Sequence, residues 1–242
     1  MQLSIVIPAW NEEKLLPATL SAIRAAAEAS LSPAGIGWEL IVCDNNSTDR
    51  TAELARSAGA RVVFEPLNQI GRARNTGAAA AGGDWILFVD ADSLPSTALF
   101  ADLARTLRDD KVLAGGSLLR METDHPGARF ILNFWGFISR RLKYAAGSFL
   151  FVRTAAFRES GGFDPAFFAG EEIDLSKRLK KIARRQRRRI VILDGHPMET
   201  SARKLTMHSA ATHFAFMLRT ALSGGRTLRR KEACAIWYDG QR

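Results

Sequence analysis

Cysteine is scarce in this chain: 242 residues hold two, Cys43 and Cys234. They stand far apart and form neither a CxxC nor a Cys/His spacing, so no disulfide or metal staple underlies the fold. Cys43 sits in an apolar run and reads as a small core residue. Long hydrophobic runs are missing too. No stretch reaches the ~18 uninterrupted apolar residues that would span a bilayer. The apolar run after Met1, residues 3–7, is too short for the core of a signal peptide and has no cleavage site behind it. The expectation is a cytoplasmic protein, with peripheral contact to the inner face of a membrane left open. No internal repeat occurs, and the basic run RRQRRR (184–189) is the one biased tract. No GxGxxG follows a strand and there is no GK[ST], so a glycine-rich phosphate loop has no support. No nucleic-acid recognition motif is present either, and no nucleic-acid partner is expected.

What is present is ordinary in bulk and uneven in detail. A hydrophobic fraction of 47% and a charged fraction of 24% suit a globular protein large enough for a substantial core. The net charge of +9 is concentrated late in the chain. Residues 1–120 hold 11 Lys/Arg against 14 Asp/Glu, and residues 121–242 hold 23 against 11. That asymmetry predicts a basic surface in the second half, suited to anionic lipid or a phosphorylated substrate.

The first half alternates strand-like and helix-like segments. LSIVI (3–7) is a short apolar run of the kind that forms a strand buried on both faces, and WELIVC (38–43), RVVF (61–64) and WILFV (85–89) read as three further strands. Helices are expected between them. Asn11 is a plausible N-cap, with Glu12 and Glu13 in the first turn and Pro17 resetting the start. An Ala-rich helix covers 72–81. Such alternation predicts βαβ units and a mostly parallel sheet whose strand C-termini share one ligand-binding edge. Asn11, Glu12, Asp44, Asn46, Asp90 and Asp92 all follow strand ends and converge there. In the second half, VLAGGSLLR (112–120), SFLFVR (148–153) and RIVIL (189–193) read as strands, and a basic amphipathic helix starts near Asp174. The division is a domain over 1–200 and a basic amphipathic C-terminal extension over 201–242, which either lies on an anionic membrane or packs on the domain.

The sequence WILFVDADS (85–93) ends a buried strand in two carboxylates. Asp90 and Asp92, so placed, suit a hard divalent cation, Mg2+ or Mn2+, whose other positions go to phosphate oxygens and water. IVIPAWNEE (5–13), VCDNNSTDRT (42–51), the run from Asn68 to Ser93, GGFD (161–164) and GEEIDLSKRL (170–179) resemble the successive motifs of family 2 glycosyltransferases. The resemblance covers roughly residues 1–195. It implies the GT-A fold and inverting, metal-dependent transfer of one sugar from a nucleotide-diphosphate sugar to a hydroxyl or phosphate acceptor that the sequence does not name, with a lipid left open. By the same resemblance, Pro8 and Glu12 would line the nucleotide pocket and Asp44 would bond the base edge. Arg72 or Arg74 would lie near base or diphosphate, Asp90 would reach the ribose or the metal shell, and Asp92 would ligate the metal.

The family's catalytic base usually comes from a Glu–Asp pair before a helix. Here the pair is Glu171–Glu172, which makes Glu172 the candidate base and places Glu171 beside the acceptor. Asp174 would cap the helix. Gly147, Ser148 and Trp135 would line the acceptor and donor-sugar pocket, Arg203 would clamp the diphosphate, and His196 or His208 would offer a late metal ligand. No QxxRW motif of processive members is present, so a single transfer is expected. Two other readings stay open: a sugar-nucleotide-binding protein with impaired catalysis, and a nucleotidyltransferase. The second would need a Gly-rich, basic loop after the first strand, which PAWNEEK is not.

Overall fold

The computed structural model describes residues 1–120, 136–200, 219–220, 223, 226–230 and 232–234. Eight strands form one sheet in the order β3-β2-β1-β4-β7-β6-β8-β5. They are β1 (Gln2–Ala9), β2 (Gly37–Asp44), β3 (Arg61–Phe64), β4 (Trp85–Val89), β5 (Ser93–Leu94), β6 (Val112–Arg120), β7 (Phe149–Arg153) and β8 (Arg189–Thr200). Strands β1–β4 are parallel neighbours, and β6 is parallel to β8. β7 runs antiparallel between β4 and β6, and β5 antiparallel against β8. The sheet is therefore mostly parallel, as the alternating pattern predicts.

The helices are α1 (Leu16–Ser30), α2 (Thr51–Ser57), α3 (Ile70–Ala79), α4 (Thr97–Leu107), α5 (Thr154–Ser160) and α6 (Glu171–Arg185). Residues 136–142 are helical as well. Two hydrophobic layers hold these helices to the sheet. Leu3, Ile5 and Ile7 of β1 join Leu16, Leu20 and Ile23 of α1 and Leu99, Phe100 and Leu103 of α4. On the other face, Val6, Ile86 and Phe88 join Ala78 of α3, Phe157 of α5 and Leu175 and Leu179 of α6. Alternate residues of one strand thus feed two cores, which explains why the runs read as uniformly apolar. Helix α3 lies very close to β1: a Cβ on Gly77 would fall 2.4 Å from Val6 Cγ1. Glycine at that position lets the helix, and the polar residues at its start, sit tight against the sheet.

Several local expectations give way. Helix α1 begins at Leu16 with Pro17 in its first turn and no acidic residue there. Asn11 is not its cap; it takes a left-handed φ of 52° and accepts from Thr48 N (2.8 Å), tying the loop after β1 to the loop after β2. Proline lacks an N–H and is tolerated in a helix's first turn, so Pro17 sets the start well after Asn11. Helix α6 starts at Glu171, capped by Gly170 at φ 68°, and Asp174 pairs with Arg178 (2.7 Å) instead of capping. The last strand runs from Arg189 to Thr200, beyond the expected 189–193, because its second part pairs with both β6 and β5. Among the described residues no helix is long and apolar enough to cross a membrane. Most of 201–242 lies outside the described residues. The described turn Arg226–Arg229 packs on the domain, with Phe168 N donating to Leu228 O (2.7 Å).

Candidate active site

The strand register assembles the site. Ala9 at the end of β1 lies beside Asp44 at the end of β2, and Val6 pairs with Phe88, two residues before Asp90. The segments following β1, β2 and β4 therefore emerge on one edge. Asp44 is nearly buried, and its Oδ1 accepts from Ser47 N (3.0 Å), a bond that turns the chain sharply after β2. Glu12 is buried, with its backbone N–H on Thr51 Oγ1 (2.8 Å) and its carbonyl accepting from the start of α1. Pro8, whose ring offers no N–H, stands opposite Cys43. Burial pushes the Cys43 thiol up to about 12, with Glu65 and Asp44 adding to the rise. A thiol so far from ionising is a core residue, not a nucleophile.

Helix α3 brings two arginines to this edge with different fates. Arg72 is half-buried, with its Nε donating to Gln69 Oε1 (3.0 Å). Arg74 is 2% exposed. Its Nη2 donates to Asp90 Oδ1 (2.8 Å) and its Nη1 to Glu171 Oε1 (2.6 Å). One guanidinium thus joins the end of β4 to the first turn of α6. Burial works against the cation, but Asp90, Glu171 and Glu172 outweigh it and push its pKa above the ordinary arginine value. The ring of Phe163 covers the guanidinium at 5.3 Å. On another side, a Cβ at Gly147 would fall 2.4 Å from Nη2. Gly147 therefore makes room for Arg74, a more specific role than lining a pocket. The adjacent Ser148 hydroxyl is buried with no hydrogen-bond partner among the described residues.

Glu172 follows on α6. Burial pushes its carboxyl up to about 8, Glu171 adds to the rise, and Arg74 opposes it. The side chain keeps partial exposure, so the carboxyl is crowded by protein yet still reachable. A carboxyl with these properties exchanges protons near neutral pH, where an ordinary glutamate is already ionised.

Three further residues hold this arrangement, and no role was expected for them from the sequence. Asn45 accepts from Gln69 N (2.9 Å) and donates to Leu67 O (2.7 Å), fixing the loop before α3. Gln69 Nε2 donates to Pro165 O and Phe167 O, both at 2.8 Å. Asn75 clasps the backbone of Phe163 from both sides, at 2.8 and 2.9 Å. The available signal was the polar set Gln69, Arg72, Arg74, Asn75 and Thr76 at and within a short helix rich in Ala and Gly.

His196 is drawn elsewhere: its Nδ1 lies 2.8 Å from Asp102 of α4, and half of its side chain is exposed. Trp135, Arg203 and His208 lie outside the described residues. Among the described residues no cluster of three His, Cys, Asp or Glu could hold a metal by itself. Asp90 and Asp92, two residues apart past β4, nonetheless fit a hard divalent cation of the kind that takes one or two protein carboxylates and fills its shell with water and substrate phosphates.

An open α/β sheet with acidic strand ends and an acid pair at a helix start defines the class, and the sequence model of glycosyl transferase family 2 matches residues 4–161. The chain belongs to that family. An uncharacterized glycosyltransferase of Mycobacterium tuberculosis is 42% identical over 89 residues, covering 37% of this chain and 36% of that protein. The pre-mycofactocin glycosyltransferase of the same species is 27% identical over 217 residues, covering 83% of this chain and 43% of the relative. The chain thus aligns with less than half the length of either curated relative. A mannosyltransferase from Pyrobaculum calidifontis, solved in complex with GDP-Man and Mn2+, superposes with a TM-score of 0.67 at 19% identity. That superposition covers 90% of this chain and 64% of the other, and the likeness is one of fold.

Proposed function

We propose that this protein transfers one sugar from a nucleotide-diphosphate sugar to an acceptor hydroxyl, with inversion at the anomeric carbon and dependence on Mn2+ or Mg2+. The observation that carries the reading is the Arg74 clasp, which sets the carboxylates after β4 beside the acid pair that opens α6. In this reading Asp44, Glu12 and Pro8 flank the nucleotide, and the half-buried Arg72 of α3 meets the diphosphate. Asp90 and Asp92 would hold the cation. When bound, the cation supplies charge neutralisation on the departing diphosphate.

The chain's own residues do the rest. Glu172 accepts the proton of the acceptor hydroxyl as that oxygen bonds to the anomeric carbon and the bond to the diphosphate breaks. A base whose pKa is about 8 holds the proton more strongly than an ordinary carboxylate. Arg74 keeps Asp90 and Glu171 in fixed positions and limits how far the Glu172 pKa rises. The relative solved with GDP-Man and Mn2+ supports the choice of donor class and metal by its fold.

The test is nucleotide release from UDP- and GDP-sugars in the presence of Mn2+, with and without chelator, together with NMR of the product anomer. Release is expected to need the metal, to rise with pH toward about 8, and to fall by about 10²–10⁴ in Glu172→Gln. Release that survives chelation, or a Glu172→Gln variant at full rate, sinks the proposal. Sugar-nucleotide binding without any turnover would instead identify a protein with impaired catalysis.

A further inference from the structure

The short helix over 136–142 stands at the edge where the polar strand ends gather. Val89 at the end of β4 pairs with Phe149, and β6 runs antiparallel to β7, so the chain beyond Ser117 emerges on that same edge. A Cβ on Gly136 would lie 3.9 Å from Leu118 there, and the buried Ser139 hydroxyl donates to Tyr144 O (2.8 Å). Those contacts fix the inner side of the helix. Opposite Ser139 stand Phe137, Arg140 and Arg141. Phe137 is 63% exposed, the most of any large hydrophobic side chain among the described residues, and Leu142 is 46% exposed. A single exposed apolar residue is ordinary. Here two of them share a short stretch with three exposed cations, Arg140, Arg141 and Lys143.

The basic character continues onto α6. Lys180 Nζ sits 3.9 Å from the centre of the Tyr144 ring, and Ala145 N donates to Ser176 Oγ (3.4 Å). Lys177, Lys180 and Arg184 recur at three- and four-residue spacing along α6. Burial, together with Arg184 and Lys177, holds the Lys180 ammonium below the ordinary lysine value, so these cations crowd one another. Residues 175–193 hold nine Lys/Arg and no Asp/Glu. Arg178, Arg185 and Arg189 find partners in Asp174, Glu159 and Asp109. Among the described residues, no carboxylate stands at ion-pair distance from Arg140, Arg141, Lys143, Lys177, Lys180 or Arg184. A soluble anion would answer the cations and leave Phe137 and Leu142 in water. An anionic bilayer surface answers both, with headgroups for the cations and the acyl boundary for the apolar side chains.

We propose that residues 136–143 and the adjoining cations of α6 dock on an anionic membrane surface, with Phe137 and Leu142 at the acyl boundary and Arg140, Arg141 and Lys143 on the headgroups. This surface is distinct from the extension over 201–242. Docking there holds the edge that carries Asp90 and Arg74 close to the bilayer, because Gly147, a few residues past Lys143, packs on Arg74. The docking itself does not rest on the transferase reading.

The measurement is cosedimentation of the full chain with vesicles of phosphatidylglycerol and phosphatidylcholine in equal parts, and with vesicles of phosphatidylcholine alone. Binding is expected on the anionic vesicles only, weakening as salt is added. Arg140→Gln/Arg141→Gln/Lys143→Gln is expected to lose about a hundredfold in affinity, at roughly fivefold for each cation. Arg56→Gln/Arg105→Gln/Arg108→Gln removes the same charge from exposed positions on α2 and α4, which pack on the other face of the sheet, and should lose far less. Phe137→Ser is expected to lose about fivefold with an unchanged melting temperature.

Equal losses in the two triple variants overturn the proposal, because net charge and not this face would then drive binding. Anionic vesicles that fail to bind the wild type overturn it directly. A Phe137→Ser variant that binds as well as the wild type does so too, since a plain basic patch, open to RNA or any other polyanion, would suffice. Vesicle binding through this face in a protein that releases no nucleotide upholds the docking surface and sinks the transferase reading alone.

Discussion

The two halves of the site are held by different means. On the nucleotide side, after β1 and β2, polar residues are fixed by backbone bonds. Ser47 N turns on Asp44, Thr48 N on Asn11 and Gln69 N on Asn45, each a local donor meeting a nearby side chain. On the side that would carry the chemistry, the carboxylates of β4 and α6 meet at one buried guanidinium, supplied by a third element. Loops stitched by many separate hydrogen bonds lose little when one is cut, about 1 kcal/mol for a neutral one. A charge cluster resting on one cation loses its balance entirely, because uncompensated buried charge is far more costly than an unmade neutral bond. The side after β1 and β2 is therefore built to tolerate substitution, and the side gathered on Arg74 is not.

The largest test of that contrast is Arg74→Met, which leaves Asp90 and Glu171 facing each other without the cation. Breaking a buried pair in this way costs about 3–5 kcal/mol. Chemical denaturation should register that loss, and sugar transfer should fall below detection. Arg72→Gln, two residues away but only half-buried and held by one hydrogen bond to Gln69, should stay within about 0.5 kcal/mol of the wild type and show weakened donor binding instead. Equal destabilisation by the two variants would erase the distinction between them.

A second test uses pH. In the folded protein Glu172 keeps its proton up to about 8, whereas an unperturbed glutamate releases it near 4.5. Between those values the folded state binds more protons than the unfolded one, so this residue's contribution to stability is lost as pH rises. Glu172→Gln cannot ionise and escapes that loss. The melting temperature of the variant relative to the wild type should therefore climb from pH 5 to pH 8 and level off above it. A gap that is flat with pH would mean the carboxyl is not held in its neutral form.

A smaller loss than that of Arg74→Met is expected from Gly147→Ala. The added methyl meets the Arg74 guanidinium and must displace it, at a cost of about 1–3 kcal/mol typical of overpacking. Activity should drop while donor binding, measured by thermal shift, holds. If Gly147→Ala instead weakens donor binding and spares turnover, Gly147 belongs to the sugar pocket and not to the clasp.

How much of this was legible in the sequence follows from the range of the interactions involved. Strands buried on both faces announce themselves as uniform apolar runs, so β1, β2, β4 and β7 stood out, whereas β3 is a short edge strand with Arg61 and Phe64 exposed. Helix α4 carried an equally clear signal, Ser96 followed by Leu99, Phe100, Leu103 and Leu107 at helical spacing, although only its neighbours were assigned. The far end of β8, with Asp194, Gly195 and Pro197, has no strand-like pattern, and tertiary pairing alone makes it a strand. The same limit applies to the site. Asp90 and Asp92 could be found because a strand end places them. The partner that ties Asp90 to Glu171 could not, since 97 residues separate Arg74 from Glu171 and no local period records that meeting.

The pairing of β5 with β8 has a practical consequence. Ser93 and Leu94, immediately after the acidic loop, find their strand partners in Thr200 and Glu199. The loop that would grip the cation is thus laced to a segment more than a hundred positions further along the polypeptide. Protein engineers trimming this protein from its carboxyl end would feel that stitch: stopping at Leu193 unlaces the acidic loop, whereas stopping just after Thr200 leaves it tied.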